Sequence, residues 1–249
     1  MSVAPEPQEE SVLSHLVELR NRLMRAVLAV LAVFVLLLPF AQTIYSAFAQ
    51  PLLAKLPAGG QIIAIDVASP FFVPIKLAFV LAAMLAMPMV LYQLWAFVAP
   101  GLYRHEKRLA VPLLVSATAL FYLGCAFAWF LVLPVVFGFL AAVTPEGVAM
   151  MTDISRYLDF VLVIFLAFGF SFEVPVAVVI LAVLGWVSVE QLKAARSYVI
   201  VGAFVIAAII TPPDVISQLM LAIPMCLLYE LGIVAARVLA RDKAPDAEG

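Results

Sequence analysis

The placement of its few charges constrains this chain more than any other feature. Between Arg25 and Lys55 there is no acidic or basic side chain, and comparable gaps recur along the sequence. Apolar runs of that length suit a bilayer, where a spanning helix uses about 20 residues to cross a hydrocarbon core of about 30 Å. Composition closes the main alternative. Of the 249 residues, 66% are apolar and 12% are charged, against about 45–50% and about 25% in an ordinary soluble domain. A water-soluble globule of this size would leave too much apolar surface exposed. The same figures exclude a disordered chain, a collagenous repeat and a disulfide scaffold.

Six apolar runs are separated by charged segments, predicting spans at about 24–40, 77–98, 109–140, 158–184, 198–210 and 215–236. The expected fold is therefore an all-α integral membrane protein. An acidic tail, 1–10, precedes a six-helix domain, 11–236, and a short tail, 237–249, follows it. The third run is long enough to tilt or to project beyond the membrane. The fifth, Tyr198 to Ile210, has 13 residues and would reach about 20 Å. Either the bilayer thins around it or neighbouring protein covers the deficit.

Lysine and arginine set the expected orientation. Eleven fall in the N-terminal segment, the loops after the second and fourth runs, and the C-terminal tail. Only Lys55, Lys76 and Arg156 fall on the opposite side. Both termini are thus expected in the cytoplasm. A cleavable signal ending near Ala47-Phe48-Ala49 is the competing reading, disfavoured because its arginines lie behind an acidic stretch and its cleavage site lies well past the apolar run. Net charge is −2, so no basic surplus invites nucleic acid. Cys125 and Cys226 sit in apolar runs and read as small buried hydrophobes. No convincing internal repeat is present.

Several polar groups sit against this grain. Ser11 to Arg25 reads as a helix entering the first span, with Glu18 and Arg22 at the favourable i, i+4 spacing. It is either an interfacial helix whose arginines enforce topology or a contact surface offering the Glu18 carboxylate. The loop Gly101-Leu-Tyr-Arg-His-Glu-Lys-Arg108 repeats the pattern, with Glu106 among basic neighbours. It is a solvated topogenic loop or a second carboxylate able to accept a guanidinium bidentately. Glu173 falls near the middle of the fourth run, two residues before Pro175. Intramembrane acids face a partner helix or a wet cavity, and the proline predicts a kink. Thr211-Pro-Pro-Asp214 makes a turn in which Asp214 can cap the sixth helix, with Gln218 one turn on. Asp66 to Lys76, including Phe71 and Phe72, reads as an ordered cap on the outer side.

Catalytic signatures are missing. The two histidines, His15 and His105, lie outside the spans, and no nucleophile elbow, zinc, nucleotide or dinucleotide motif occurs. Neither an enzyme nor a cofactor or metal site is expected.

Together the motifs resemble the TatC family, the core receptor of the twin-arginine protein translocase. The resemblance rests on His15-Leu-Val-Glu-Leu-Arg-Asn-Arg-Leu23, Val67 to Lys76, Tyr92 to Tyr103, Phe170-Ser-Phe-Glu-Val-Pro175, and Thr211-Pro-Pro-Asp214 with Gln218. It implies a cupped six-helix bundle in the bacterial inner membrane, with no enzymatic activity of its own. By resemblance, Glu18 and Glu106 would bind the paired arginines of a signal peptide, supported by Arg20 and Phe97. Glu173 would sit on the concave face, and Thr211 and Gln218 would form a polar patch; these would contact single-span TatA and TatB partners. Pro51, Phe71 and Asp214 are carried over as structural or functional loop positions. The resemblance also implies self-association in a receptor complex and transport of folded cargo driven by the proton-motive force. The runner-up reading is an ion-coupled small-solute transporter with Glu173 as its proton site; a structural assembly scaffold is a third.

Overall fold

The computed structural model describes residues 7–53, 61–98, 110–145, 151–211 and 215–241, which are helical almost throughout. Helix α1 (Pro7–Leu37) carries the first apolar run and does not end where that run thins. A 3-10 turn at Leu38–Phe40 contains Pro39, and α2 (Ala41–Leu53) continues beyond it. Proline cannot donate back to the preceding turn, and the tighter winding of a 3-10 turn absorbs the loss. His15–Gln50 thus forms one apolar helical stretch of 36 residues, longer than the run that marks it.

A short strand β1 (Gln61–Ile63) pairs in parallel with β2 (Met151–Asp153), Ile62 lying opposite Thr152. Asp153 secures this junction. Its Oδ2 accepts the Arg156 N–H at 3.3 Å and so caps the following helix, while Oδ1 accepts the Ile65 N–H at 3.3 Å.

Helix α3 (Ser69–Leu85) begins eight residues before Leu77, so Phe71, Phe72 and Lys76 lie on a helix rather than in the capping segment their prolines suggested. Pro70 occupies the first turn, where its missing N–H costs nothing. Helix α4 (Met87–Val98) follows with a bend of 49° at Ala86. Pro88 is the physical cause, since it cannot donate to the Met84 carbonyl four residues back. The Tyr122 hydroxyl supplies the donor instead, at 3.1 Å from the Met84 oxygen and 3.4 Å from that of Leu85. Such rescue from a neighbouring helix is what permits proline breaks at membrane depth.

Helices α5 (Ala110–Phe127) and α6 (Leu133–Ala142) are joined through a π turn at Ala128–Val132, with Pro134 at its exit. Helices α7 (Ile154–Ser171) and α8 (Val174–Val183) are parted only by Phe172 and Glu173, the interruption that Pro175 predicts. The chain ends in α9 (Val189–Ala194), α10 (Arg196–Ile210) and α11 (Val215–Arg241). A full capping box starts α9, Ser188 and Gln191 bonding each other's backbone N–H.

By length and composition, four helical stretches among the described residues can cross a membrane, and a fifth is added if the bent α3–α4 pair counts as one span. Helix α10 has 15 residues, about 22 Å at 1.5 Å per residue, and falls short of a bilayer core. The molecule is therefore a multi-pass helical membrane protein.

Helix association in lipid relies on close packing rather than on a hydrophobic drive, and the core reflects this. Phe121, Phe168, Ile164, Leu221 and Ile233 are fully buried where α5, α7, α8 and α11 meet. Gly124 and Gly232 allow the approach. A Cβ at Gly124 would lie 2.5 Å from the Phe168 carbonyl oxygen, and one at Gly232 would lie 2.9 Å from Pro175 Cα. In contrast, 6% of the apolar window of the α1–α2 stretch is buried, against 50% for α7–α8. The first helix therefore stands at the edge of the bundle, where its polar entry segment is accessible.

Candidate functional site

The entry segment of α1 places its charges on two faces. Glu18 and Arg22 are one turn apart, and Arg22 donates Nε–H to Glu18 Oε1 at 2.9 Å, with Nη2–H directed at the same oxygen. Glu18 is thus held by an internal guanidinium through one oxygen only. Val17, Glu18, Asn21, Arg22 and Arg25 line a depression of about 310 Å³ beside this pair. Arg20 lies on another face, since positions two apart do not meet on a helix. It is exposed and donates to Asn21 Oδ1 at 3.3 Å.

Helix α4 runs alongside. The Phe97 ring stacks on the His15 imidazole with centroids 4.4 Å apart and planes inclined by 26°. This contact joins the start of the entry segment to the end of α4. Deeper along the same seam, Leu19, Arg22, Leu23 and Ala26 of α1 face Val90, Gln93, Leu94 and Phe97 of α4 across a groove of about 170 Å³. Gln93 is 96% buried by residue area, being 4% exposed. Its Nε2 reaches only the Met89 sulfur at 3.8 Å, and its Oε1 has no hydrogen-bond partner. Leaving a buried acceptor unpaired costs about 1–3 kcal/mol. The structure thus brings Phe97 to the seam that Arg22 shares with Glu18, and places Arg20 elsewhere. Glu106 and Asp214 lie outside the described residues.

Glu173 occupies the break between α7 and α8 as the N-cap residue of α8, without capping it through its side chain. Its Oε1 is buried and unpartnered. Ser171, beside it, donates to the Ala167 carbonyl at 2.6 Å and offers no proton to Glu173 through that bond. A carboxyl with an open acceptor at membrane depth is suited to a donor from another helix.

Thr211 closes α10, its buried hydroxyl donating to the Ala207 carbonyl at 2.8 Å. Gln218, on α11, donates Nε2–H to the Phe204 carbonyl of α10 at 3.3 Å. The two residues therefore stand on a hydrogen-bonded helix pair, with the buried Ser217 next to Gln218.

Among the loop positions, Pro51 falls within α2 and Phe71 in the first turn of α3, where it is 63% exposed and packs edge-on against Phe72 at 5.2 Å. The opposite end of the bundle holds two cross-links between residues more than eighty positions apart, which no local pattern pairs. Lys76 meets Asp159 at 2.5 Å, and Ser69 shares a hydrogen bond with Ser155 at 2.8 Å. Gln93 and Tyr122 were likewise missed. Each is a polar residue inside a largely apolar run, and that was the available signal. Both cysteines are free thiols, Cys125 buried and Cys226 partly so. Among the described residues, no three acidic, histidine or cysteine side chains gather as a metal site would require.

Comparison with known proteins identifies the family of the chain. The family model for the Sec-independent protein translocase protein (TatC) matches residues 14–224. The chain is 53% identical over 251 residues to the Sec-independent protein translocase protein TatC of Azotobacter chroococcum mcd 1, covering 100% of this chain and 98% of that one. It is 54% identical over 228 residues to the protein of that name from Escherichia coli (strain K12), covering 92% and 88% of the two. A crystal structure described as the twin arginine translocase receptor TatC superposes with a TM-score of 0.80 at 38% identity, covering 91% of this chain and 100% of that chain.

Proposed function

Because the chain belongs to the TatC family of Sec-independent protein translocase proteins, we propose that it is the receptor subunit that binds twin-arginine signal peptides at the cytoplasmic face of the bacterial inner membrane. The supporting observation is the half-engaged Glu18 carboxylate, which already accepts a guanidinium in this structure. A planar guanidinium can satisfy both carboxylate oxygens at once, which the point charge of lysine cannot match. Glu106 supplies the second carboxylate of the pair, and the His15–Phe97 stack braces α4 against the helix that carries Glu18.

In this reading both termini are cytoplasmic, which the eleven-to-three distribution of bases supports. The bent α3–α4 pair and the short α10 each count as one crossing, giving six. The Glu173 carboxyl and the Thr211–Gln218 helix pair face TatA- and TatB-type single-span helices, which assemble with several receptor copies. The proton-motive force drives transport of folded cargo, and the chain needs no cofactor. Family membership favours this reading over a small-solute transporter that uses Glu173 as its proton site.

Photo-crosslinking tests it. A twin-arginine signal peptide should form adducts with the wild-type chain in membranes, and Glu18→Ala or Glu106→Ala should abolish them while membrane insertion is unchanged. Undiminished crosslinking to the Glu106→Ala chain would remove that residue from the site. Proton-coupled uptake of a small solute by reconstituted chain alone, lost in Glu173→Gln, would support the transporter instead.

A further inference from the structure

A cavity of about 450 Å³ opens between α1, α3 and α7, at the end of the bundle opposite the arginine-rich entry of α1. Its polar lining comes from Asp66, Ser69 and Lys76 on one side and Ser155 and Asp159 on the other. These groups are only partly used by one another. Lys76 gives one N–H to Asp159 Oδ1 at 2.5 Å. An ammonium has three donors and a carboxylate two oxygens, so two N–H groups of Lys76 and Oδ2 of Asp159 remain available. Ser69, 5% exposed, shares a single hydrogen bond with Ser155 at 2.8 Å. Two hydroxyls carry two protons and that bond uses one, which leaves one O–H to be donated.

The cavity lies at the level of lipid headgroups. Lys76 directly precedes the uncharged run that starts at Leu77, and Asp159 directly precedes the one that starts at Phe160. One turn further into the membrane, Phe79 meets Phe34 edge-on at 5.5 Å and is 45% exposed. Phe34 belongs to the α1–α2 stretch, 6% of whose apolar window is buried. That side of the cavity therefore opens to the bilayer.

From these observations we infer that the cavity binds the headgroup of an aminophospholipid. Asp66 and Asp159 accept from its primary ammonium, Lys76 and the remaining serine O–H donate to its phosphate, and its acyl chains lie along Phe34 and Phe79.

Charge selects this occupant. Among the described lining residues, two carboxylates stand against one ammonium, so a headgroup of net negative charge meets an excess of its own sign. A zwitterion lets each sign meet its opposite. The amine is primary because carboxylates accept charge-assisted hydrogen bonds, and a quaternary ammonium has no N–H to give. A lipid is favoured over a soluble zwitterion because half-exposed ion pairs are weak by themselves. Burial of acyl chains against the two rings supplies the rest.

The test uses the full chain purified in detergent and mixed with equal amounts of phosphatidylethanolamine, phosphatidylcholine and phosphatidylglycerol of identical chains. Native mass spectrometry counts the lipid retained. The wild type should keep phosphatidylethanolamine about fivefold over each of the others, the scale of a half-exposed ion pair. Lys76→Gln and Asp159→Asn should each reduce that preference below about twofold. Asp66→Asn, outside the Lys76–Asp159 pair, carries the same expectation should a variant of the pair fail to fold, which a thermal unfolding curve reports. Equal retention of the three lipids by the wild type, as a nonspecific lipid shell would give, would overturn the site. So would a preference for phosphatidylglycerol, or a preference unchanged in every folded variant. Displacement of the lipid by an equal concentration of soluble phosphoethanolamine would show that the chains contribute nothing, and the lipid assignment would fall.

Discussion

Arg22 donates to Oε1 of Glu18 through Nε–H at 2.9 Å, so the carboxylate assigned to the incoming signal is already engaged by a guanidinium of its own helix. The pair is partly exposed, Arg22 at 22% and Glu18 at 36% of their side-chain areas. A helical pair of this kind contributes about 0.3–0.5 kcal/mol, little enough for a cargo arginine to displace it.

Arg22→Gln should therefore raise the affinity of a twin-arginine peptide about twofold by removing this competitor, at negligible cost in stability. Titration of labelled peptide against the variant in nanodiscs measures it. A loss of affinity would show instead that Arg22 orients the carboxylate for binding.

At the bend made by Pro88, the Tyr122 hydroxyl bonds the Met84 carbonyl that the proline leaves without a donor. Tyr122→Phe should cost about 0.5–1.5 kcal/mol and broaden the angle between α3 and α4. Spin-label distances between the two helices, together with a thermal unfolding curve in detergent, report both quantities. An unchanged distance distribution would assign the bend to Pro88 alone.

Packing makes a sharper contrast. A methyl group at Gly124 would meet the Phe168 carbonyl oxygen at 2.5 Å, whereas one at Gly138 would meet nothing within 4 Å. Gly124→Ala is expected to destabilise the bundle by about 1–3 kcal/mol through overpacking. Gly138→Ala should be neutral or slightly stabilising, since alanine is the better helix former. Comparing the two unfolding temperatures settles the matter, and equal values would contradict the close approach of α5 to α7.

At the opposite end of the bundle, Lys76 and Asp159 form an ion pair with both side chains about half exposed, at 53% and 51%. Either single alanine substitution should cost less than about 1 kcal/mol, and the exchange Lys76→Asp with Asp159→Lys should recover most of it. A double-mutant cycle on unfolding temperature provides the readout. Coupling well above that range would mark the pair as a structural anchor.

What could be read in the sequence was set by period and chemistry, and what could not was set by neighbours. Apolar runs marked the membrane helices because charge is excluded from lipid, and Pro175 announced the break at Glu173 because proline lacks the donor a helix needs. The same rule applied to Pro88 predicts a bend, yet an unbroken apolar run from Leu77 to Val98 hid it. The start of α3 at Ser69 was obscured by Pro70 and Pro74, which resemble loop residues until the first is seen to occupy the opening turn. Glu18 and Phe97 stood out through their motifs. Gln93 did not, because its burial and its empty acceptor arise from α1 lying against α4, a contact between residues some seventy positions apart.

The most direct test of the central claim is the affinity of a twin-arginine signal peptide relative to its twin-lysine counterpart, measured on the wild-type chain and on Glu18→Ala and Glu106→Ala. Each charge-assisted contact should contribute about 1.5–3 kcal/mol, so the wild type should prefer arginine by at least about tenfold. Either substitution should remove most of that preference. A preference of the same size in both variants would contradict the assignment of these two carboxylates as the arginine receptor.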